Sequence, residues 1–502
     1  MVASIKPHRD EVGLSDGLML IDGAWTAAQD GQTWNHSHPA TGEEVASFPI
    51  AGPGDVDLAV RAARRAFDEG PWPQTRANER GRVLRRIADL VREHGDELLK
   101  LQALDNSVPL SFGCIYATSA AFVADAFDHH AGWVDKLAGE TLPPYQGGDH
   151  LVLTLREPVG VAAAVIPWNA PLLLFAQKAA PALAAGCTIV AKPSEYATFA
   201  VLRLAALMEE AGLPPGVLNV VTGPGEPTGQ ALISHPMVNK LSFTGSRATG
   251  RKIVEASAAG FKRVTLEMGG KSPALVFADA DVSTAAAVTM GTVTLGLSGQ
   301  VCLAQTRALV HRDVADEFLA MAEMIGGMVS YGNPFDPAVT SSPLINTRQL
   351  ERVLALIEAG QADGARLVCG GTRGEGDLAA GNFIAPTLFT DVSNDMSIAR
   401  EEIFGPVLSV IPFADEDEAV RIANDTEYGL AATVWTSDIK RAMRMTKAIR
   451  AGTVGINGYQ LEPHAAFGGY RQSGLGREGG RAAVEAYTEL KTVLLPFTDE
   501  MM

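Results

Sequence analysis

The sequence predicts an α/β protein with two parallel-sheet units, and three observations lead to that fold class. Short β-rich runs alternate with helical stretches over most of the chain, which is the pattern of βαβ units whose sheet is covered on both faces. The alternation occurs as two series, one before and one after Cys302. The chain has 502 residues, which is too long for one ordinary domain and favours two large units.

The first unit opens on helices. From about Val56 to Lys100, apolar residues recur at helical spacing among alternating charges, as in surface helices with one buried stripe. The pattern changes to strands at Val159. The predicted strands of this series are VGVAAAVI, CTIVAK, LNVVTG, KLSFTG, RVTLEMGG and PALVFA. Helices are predicted between them at 197–211 and 250–259.

The second unit repeats the alternation, and the two units are expected to join near residues 266–272. Its predicted strands are TRALVH, ARLVCGG, PVLSVIPF, AATVWT and GTVGING. Its predicted helices cover 314–328, 348–360, 415–424 and 439–449. The tail EAYTELKTVLLPF alternates apolar and polar residues like a strand, so we expect it to pair with another element or another subunit.

Composition excludes several classes of function. Asp plus Glu (58) exceed Lys plus Arg (41), giving a net charge of −17, which repels nucleic acid and anionic membrane surfaces. Two uncharged runs, 158–177 and 282–306, are interrupted by Pro or by Gly, Ser, Thr and Gln, so they are predicted to be buried interior rather than membrane spans. The N-terminus lacks the apolar core of a signal peptide. Four dispersed cysteines give no metal-ligand spacing and fit a reducing compartment, so we expect a cytoplasmic protein without a metal.

Three residues carry candidate catalytic chemistry. Cys302 follows a Gly-containing loop at the end of a long uncharged predicted helix, where a thiolate in an interior cleft can attack a carbonyl. Glu267 stands between a strand and a Gly-Gly turn, and Asn169 lies between two prolines after a strand, where its amide can stabilise an oxyanion. Taken singly, these residues also fit a core cysteine, a solvated glutamate and a turn asparagine.

Glycine-rich turns carry candidate cofactor chemistry. The spacing of Gly223, Gly225 and Gly229, between a predicted strand and a predicted helix, is one residue longer than the dinucleotide-binding fingerprint. The segment SFTGSRATG is a second strand-turn-helix, whose backbone N–H groups can face a pyrophosphate. The candidate residues of this second turn are Gly245, Ser246 and Gly250.

The segment VAKPSE places Lys192 and Glu195 at the end of another strand, where they suit hydrogen bonding to ribose hydroxyls. An ordinary surface loop with the same charged residues would show the same sequence pattern. The joint occurrence and order of these features therefore carry more weight than any one of them.

Seven motifs in a fixed order resemble the aldehyde dehydrogenase superfamily. The resemblance runs from about Ile21 to Lys491, nearly the whole chain. The motifs are PWN at 167–169, AKPSE at 191–195, FTGS at 243–246, LEMGGKSP at 266–273, GQVC at 299–302, EEIFGP at 401–406 and FGGYRQSGLGRE at 467–478.

The resemblance implies an NAD-dependent enzyme that oxidises a small-molecule aldehyde to the carboxylic acid. It implies that Cys302 is the nucleophile, Glu267 the general base and Asn169 the oxyanion donor. A cysteine thiohemiacetal would transfer hydride to the nicotinamide, and water activated by Glu267 would hydrolyse the resulting thioester.

The resemblance also implies a set of NAD-binding residues. Lys192 and Glu195 would hold the adenosine ribose, Glu402 the nicotinamide ribose, and the Met268 carbonyl the carboxamide. The full set is Ile166, Trp168, Lys192, Ser194, Glu195, Gly225, Gly229, Phe243, Gly245, Ser246, Gly250, Met268, Glu402 and Phe404.

The implied organisation is two Rossmann-like domains and a small β oligomerisation arm. Residues 1–130 and 152–266 would form the dinucleotide-binding domain, and 267–480 the catalytic domain. Residues 131–151 and 481–502 would form an arm that completes a neighbour's sheet. A homo-oligomer follows, with a tetramer preferred over a dimer.

Some positions depart from the superfamily's pattern. Upstream of Cys302 the superfamily often has an aromatic residue and an Asn, where this chain has Gly296 and Ser298, and the lost bulk predicts a roomier substrate tunnel. The loop 460–466 gives no recognisable substrate signature, so the sequence leaves the aldehyde open, whether aliphatic, terpenoid or aromatic.

The residues present argue against two rival functions. A CoA-acylating dehydrogenase typically lacks the base corresponding to Glu267, whose presence here favours hydrolysis. A non-catalytic binding or structural protein on the same scaffold is expected to lose the nucleophile, whereas Cys302, Glu267 and Asn169 are all present. A serine hydrolase is set aside because the chain has no G-x-S-x-G segment.

Overall fold

The computed structural model describes residues 2–114, 119–145 and 150–496, except the Cys114 side chain. Parts of the expected arm, 146–149 and 497–502, lie outside the described residues. The strands are β1 Met19–Ile21, β2 Ala24–Thr26, β3 Thr33–Ser37, β4 Glu44–Pro49, β5 Thr141–Leu142, β6 His150–Pro158, β7 Val161–Val165, β8 Thr188–Lys192, β9 Leu218–Val220, β10 Lys240–Gly245, β11 Arg263–Met268, β12 Pro273–Val276, β13 Arg307–His311, β14 Arg366–Cys369, β15 Thr387–Thr390, β16 Val407–Phe413, β17 Ala431–Trp435, β18 Thr453–Ile456, β19 Gly474–Leu475 and β20 Thr488–Pro496.

The α-helices lie between and around these strands. They are α1 Lys6–Glu11, α2 Pro53–Asp68, α3 Ala77–Glu93, α4 Gly95–Asn106, α5 Ala120–Ala131, α6 Pro171–Ala185, α7 Phe199–Glu210, α8 Gln230–Ser234, α9 Arg247–Ala258, α10 Val282–Thr294, α11 Ala315–Gly327, α12 Thr347–Ala362, α13 Ser397–Arg400, α14 Glu416–Asn424, α15 Ile439–Ala448 and α16 Gly480–Glu485.

The first large sheet has eight strands in the order β19-β11-β10-β7-β8-β9-β1-β2. Its five central strands, from β11 to β9, are parallel. The strands at both edges are antiparallel to their neighbours. Helix α6 covers this sheet and every one of its residues is buried, because its sequence is apolar except for Gln177 and Lys178. The uncharged run 158–177 is thus interior, as expected.

The second large sheet has seven strands in the order β14-β15-β16-β13-β12-β17-β18. All neighbours are parallel except β14, which is antiparallel to β15. The chain crosses from the first sheet to the second between Met268, the end of β11, and Pro273, the start of β12. The expected α/β class with two sheet units is confirmed.

Several strands were not predicted from the sequence. Strands β1 to β4 precede the first predicted helix, so the expectation that this unit opens on helices is wrong. These strands are short and β1 and β2 pair only at an edge of the sheet, so they lack the long apolar run of a central strand. Strand β15, at 387–390, is fully buried but only four residues long.

The tail strand β20 pairs antiparallel with β6 over nine residue pairs, which confirms pairing with another element. Strand β5 adds to the other side of β6, so β20 stands at one edge of this three-stranded sheet. Its Leu490, Leu494 and Leu495 side chains are exposed. None of the helices in the described part of the chain is both long and apolar enough to cross a membrane.

Candidate active site

The candidate residues of the first sheet come from one edge. Asn169 follows β7, Lys192 ends β8, Gly245 ends β10 and Glu267 is the next-to-last residue of β11. These four strands are parallel neighbours, so their carboxyl ends meet at the same side of the sheet, where open α/β sheets bind ligands.

Glu267 is a buried acid without a partner. Its side chain is 3% exposed, and neither carboxyl oxygen has a hydrogen-bond partner in the described part of the chain. The Gly468 backbone lies so close to Oε1 that any side chain at 468 would collide with it. Burial raises the pKa of this carboxyl well above its usual value, the nearby Glu478 charge adds to the rise, and Lys178 and Arg477 oppose it.

A buried ion pair stands behind Glu267. Lys178 of α6 contacts the Glu478 carboxylate and donates to Thr244 Oγ1 at 2.7 Å. Ser242 also donates to Glu478, at 3.2 Å. Glu478 lies in the motif FGGYRQSGLGRE, but no role was predicted for it because a single Glu in a glycine-rich loop does not reveal a buried lysine partner.

Cys302 lies in a loop eight residues past the end of α10 at Thr294. The uncharged helix is thus followed by a Gly-containing loop and then by Cys302, as expected. The backbone of Gly296, Ser298 and Gly299 has φ of 70°, 48° and 70°, which a right-handed helix excludes. The loop passes so near the Gly-Gly turn that a Cβ on Gly270 would lie 2.9 Å from the Cys302 carbonyl oxygen.

The electrostatic surroundings disfavour a thiolate at Cys302. Burial, followed by the charges of Glu402 and Glu267, raises the pKa of the thiol to about 12. Both carboxylates therefore lie near enough to the sulfur to raise the pKa of the thiol. This holds although Glu267 belongs to one sheet and Cys302 to a loop of the other unit. A thiol in this environment stays protonated until a base or a cation acts on it.

The loop between β7 and α6 brings Asn169 to the Cys302 loop. Asn169 is buried, and its Nδ2 donates to the Gln300 carbonyl oxygen at 2.9 Å. A primary amide has two N–H donors, so one remains for a ligand. Asn106, at the end of α4, donates through Nδ2 to the Trp168 carbonyl oxygen at 2.9 Å, which fixes the backbone of this loop.

Glu402 lies on the Gly-Gly turn. Its Oε1 accepts a hydrogen bond from the Gly270 N–H at 3.3 Å, and its carboxylate occupies the space that a side chain on Gly269 would need. Burial raises its pKa to about 7, against the opposing effects of the Gly270 hydrogen bond, Arg352 and Lys271. The two glycines thus let a carboxylate approach the backbone beside Cys302.

Helix α12 holds the segment that carries Glu402 and Phe404. Arg352 donates to the Glu402 and Ile403 carbonyl oxygens at 2.7 and 2.8 Å, and Gln349 donates to the Phe404 carbonyl oxygen at 2.9 Å. Phe404 has a φ of 57°. Its ring meets that of Trp168 edge to face, with centroids 5.4 Å apart, so the two aromatic candidates form one wall.

Lys192, Ser194 and Glu195 lie together after β8. Lys192 is buried and its Nζ donates to the Gly223 and Pro193 carbonyl oxygens at 2.6 and 2.9 Å, while burial lowers its pKa to about 8. The Ser194 hydroxyl lies 3.4 Å from Glu195 Oε2. Glu195 is only partly buried, which leaves its carboxylate accessible.

The glycine-rich turns face the same region. Gly229 packs against the Lys192 side chain, with 3.3 Å from an ideal Cβ to Cε. Ser246 caps α9 by accepting a hydrogen bond from the Thr249 N–H at 3.3 Å, and the Met268 side chain lies against Gly250. Ile166 and Phe243 are buried strand-end residues. Gly225 opens the turn 225–229 and has free space where a Cβ would stand.

The two substitutions upstream of Cys302 do not leave empty space. A Cβ on Gly296 would lie 2.6 Å from the Phe112 ring, so Phe112 fills the place of the missing side chain. Ser298 points into the protein, where its hydroxyl bonds to Ser341 and to the Ser342 carbonyl. The prediction of a tunnel widened at these positions is therefore wrong.

Known proteins resemble this chain in both sequence and structure. The sequence model of the aldehyde dehydrogenase family matches residues 25–493. An aldehyde dehydrogenase of Enchytraeus buchholzi is 42% identical, over 95% of both chains. A betaine aldehyde dehydrogenase of Cereibacter sphaeroides is 43% identical, over 94% of this chain and 96% of that one. The NAD⁺ complex of an aldehyde dehydrogenase from Bacillus cereus superposes with a TM-score of 0.94 at 40% identity, over 99% of this chain and 100% of that chain.

Proposed function

The chain belongs to the aldehyde dehydrogenase family, and from this premise we propose that it oxidises an aldehyde to the acid through a thioester on Cys302. NAD is the cofactor, as in the superposed Bacillus cereus complex. The observation that carries the mechanism is the unpartnered, buried carboxyl of Glu267, whose charge reaches the Cys302 thiol.

The residues at the sheet edge fit a dinucleotide. Glu195 and Glu402 supply one carboxylate for each ribose, Lys192 stands beside Glu195, and Ser246 begins α9, whose first-turn N–H groups suit a pyrophosphate. Trp168 and Phe404 form an apolar wall for a ring. NAD, when bound, accepts the hydride, and the positive charge of its nicotinamide favours the thiolate of a nearby cysteine.

Acylation of the enzyme uses three groups of this chain. The Cys302 sulfur attacks the aldehyde carbon after giving up its proton, and Glu267, whose raised pKa makes its carboxylate a stronger base, is the nearby base. The free N–H of Asn169 and the Cys302 backbone N–H hold the oxyanion. Loss of hydride from this thiohemiacetal leaves a thioester.

Glu267 then acts on water. Once the proton taken from Cys302 has passed to solvent, the Glu267 carboxylate removes a proton from a water molecule as the water oxygen attacks the thioester carbonyl, and the proton returns to the departing sulfur, which releases the acid and the thiol. Lys178, which is paired with Glu478 behind it, keeps a positive charge near the buried acid. A CoA-acylating dehydrogenase would not need this base, so the presence of Glu267 supports hydrolysis over transfer to CoA.

The test of the proposed function is the stoichiometry of one reaction. With NAD and an aldehyde, the protein should form NADH and carboxylic acid in equal amounts, without CoA. NADH formation that requires CoA would establish the acylating rival instead. A protein that binds NAD and oxidises no aldehyde of an aliphatic, terpenoid and aromatic panel would be a binding protein on the same scaffold.

We expect NAD to be preferred over NADP because of Glu195. A carboxylate accepts hydrogen bonds from both ribose hydroxyls of NAD, whereas NADP would bring a phosphate there. Two negative charges about 4 Å apart at an effective dielectric of about 20 repel by roughly 4 kcal/mol, and a several-fold reduction by water and ions still leaves about tenfold discrimination. The measurement is kcat/KM for both cofactors in the parent and in Glu195→Gln, where the preference should shrink.

The positive charge of Lys192 lies near Glu195 and offsets part of this repulsion, so weak use of NADP is compatible with the assignment. Glu209→Gln, on the neighbouring helix α7, is a control that removes one negative charge elsewhere. Equal use of both cofactors by the parent would show that Glu195 points away from the ribose, as would an unchanged ratio in Glu195→Gln.

We further propose that the protein is a cytoplasmic homo-oligomer and that a tetramer is favoured over a dimer. Strand β20 is an edge strand with exposed leucines, a surface that natural proteins cover by pairing. Light scattering should give the mass of a dimer or tetramer at micromolar concentration, and Leu494→Lys should shift it toward smaller species. A parent protein that is monomeric at that concentration would refute the assembly.

A further inference from the structure

The last two residues of α4 reach two different loops of the candidate active site. Asp105 bonds to the backbone at the start of α7, next to the loop that carries Glu195. Asn106 donates to the carbonyl oxygens of Trp168 and Asn169, at 2.9 and 3.4 Å, in the loop of the oxyanion donor. Both residues are buried, so solvent does not compete for these hydrogen bonds.

The Asp105 carboxylate caps α7, although it comes from another helix. Its Oδ1 accepts hydrogen bonds from the Thr198 and Phe199 N–H groups, both at 3.2 Å, and its Oδ2 accepts one from the Ala200 N–H at 2.9 Å. Thr198, the N-cap residue, offers no side-chain cap of its own. A carboxylate at this end of a helix also interacts favourably with the helix dipole. Asp105 therefore fixes the first turn of α7.

Thr198 links this first turn to the preceding loop. Its hydroxyl donates to the Ser194 carbonyl oxygen at 2.9 Å, which also accepts a hydrogen bond from the Ala197 N–H at 3.0 Å. Ser194 is buried and immediately precedes Glu195, and its hydroxyl lies 3.4 Å from Glu195 Oε2. A continuous series of hydrogen bonds therefore joins the Asp105 carboxylate to the residue that would hold the adenosine ribose.

The end of α4 is also bonded to two buried histidines. The His36 ring, on β3, donates through Nε2 to the Asp105 carbonyl oxygen at 2.7 Å, and the His38 ring donates through Nε2 to the Ala103 carbonyl oxygen at 3.2 Å. Burial lowers the pKa of His36 to about 4 and the pKa of His38 to about 3, so both rings are neutral at physiological pH. The backbone at Asp105 is thus fixed independently of its carboxylate.

We propose that Asp105 is a positioning residue for NAD: by capping α7 it holds the Ser194 backbone, and with it the Glu195 carboxylate, in place for the adenosine ribose. The inference rests on the proposed function, in which Glu195 binds that ribose. The adjacent Asn106 holds the oxyanion loop, so two neighbouring residues of one helix end support two separate parts of the active site.

Isothermal titration calorimetry with NAD tests this role without turnover. Asp105→Asn keeps the size of the side chain but replaces one acceptor oxygen by a donor that faces the N–H groups of α7. The Kd for NAD should therefore rise at least about tenfold. ADP-ribose, which lacks the nicotinamide, should lose affinity by the same factor. At saturating NAD, kcat should stay within about threefold, because Asn106 still holds the oxyanion loop.

A double-mutant cycle with Glu195→Gln separates positioning from a general effect on folding. If Asp105 acts through Glu195, Asp105→Asn should raise the Kd by no more than about threefold in the Glu195→Gln background. Thr198→Val repeats the cycle should the Asp105 variant fold poorly, because it removes only the hydroxyl between α7 and Ser194. It should raise the Kd at least about threefold in the parent and leave it nearly unchanged in the Glu195→Gln background.

Thr188→Val is the matched control. Thr188 is also a buried threonine whose hydroxyl donates to a backbone carbonyl oxygen, that of Ala63 at 3.0 Å. It begins β8, however, at the end of the strand away from Lys192. Its replacement should leave the Kd for NAD within about twofold.

Four outcomes would overturn the assignment. These are an unchanged Kd in both Asp105→Asn and Thr198→Val, an equal change of Kd with and without Glu195→Gln, an equal rise in Thr188→Val, and a fall in kcat larger than the rise in Kd. In each of these cases the parent still binds NAD and oxidises aldehyde, whereas failure of the proposed function would leave the parent without one of these properties.

Discussion

Cys302→Ala should lower kcat by at least about 10⁴-fold while leaving NAD affinity nearly unchanged, because removing a nucleophile eliminates the covalent route. The thiol acts on the substrate, and the groups that would hold the dinucleotide are on other segments. Activity is measured as NADH formation, and NAD affinity by isothermal titration calorimetry. A cofactor affinity that stays within about twofold shows that the loss of activity is chemical.

Cys369→Ser is the matched control for this experiment. Cys369 is also a free, partly buried cysteine, but it ends the edge strand β14. Its replacement should leave kcat within about twofold, because surface-near substitutions rarely perturb a distant site. Substantial dehydrogenase activity in Cys302→Ala, or an equal loss in Cys369→Ser, would remove Cys302 from the role of nucleophile.

Glu267→Gln should slow hydrolysis of the acyl-enzyme by about 10²-fold or more, which is the range for losing a general base. Thioester should then accumulate, and intact-protein mass spectrometry after mixing with NAD and aldehyde should show the added acyl mass. In the parent, the rate of deacylation should rise with pH as Glu267 loses its proton, since burial raises its pKa. This rise should be absent in the glutamine variant.

A different pattern would reassign Glu267. An unmodified protein with a lowered steady-state rate would mean that Glu267 acts before the thioester forms, on the thiol. Glu478→Gln provides a comparison, because it removes the neighbouring charge but keeps the Glu267 carboxyl. With less repulsion, the pKa of Glu267 should fall and the pH profile should move to lower pH.

The central parallel strands were predictable because the apolar residues that favour them are consecutive in the sequence. Runs such as VGVAAAVI and PVLSVIPF are apolar at most positions, since both faces are covered, and strands β7 and β16 lie at those runs. The edge strands were not predictable in the same way. Strand β19 is two residues long and owes its existence to the neighbouring backbone of β11, which no local pattern encodes.

The features of the candidate site were likewise predictable only in part. Motifs identified Cys302, Glu267, Asn169 and Glu402 as candidates, because each stands in a distinctive segment. The absence of hydrogen-bond partners at Glu267 could not be anticipated, since it depends on what every surrounding element fails to supply. The packing of the Phe112 ring into the space beside Gly296 was not predicted for the same reason. The two residues are distant in sequence and adjacent in space.

The raised pKa of Cys302 has a consequence for the survival of the protein under oxidative stress. Peroxides and electrophiles attack the thiolate rather than the thiol. Because burial and the charges of Glu402 and Glu267 raise the pKa of the thiol, we expect the resting protein to be a poor target for oxidants. The same surroundings that delay the thiol's reaction with an aldehyde therefore protect it from conversion to sulfenic acid between turnovers.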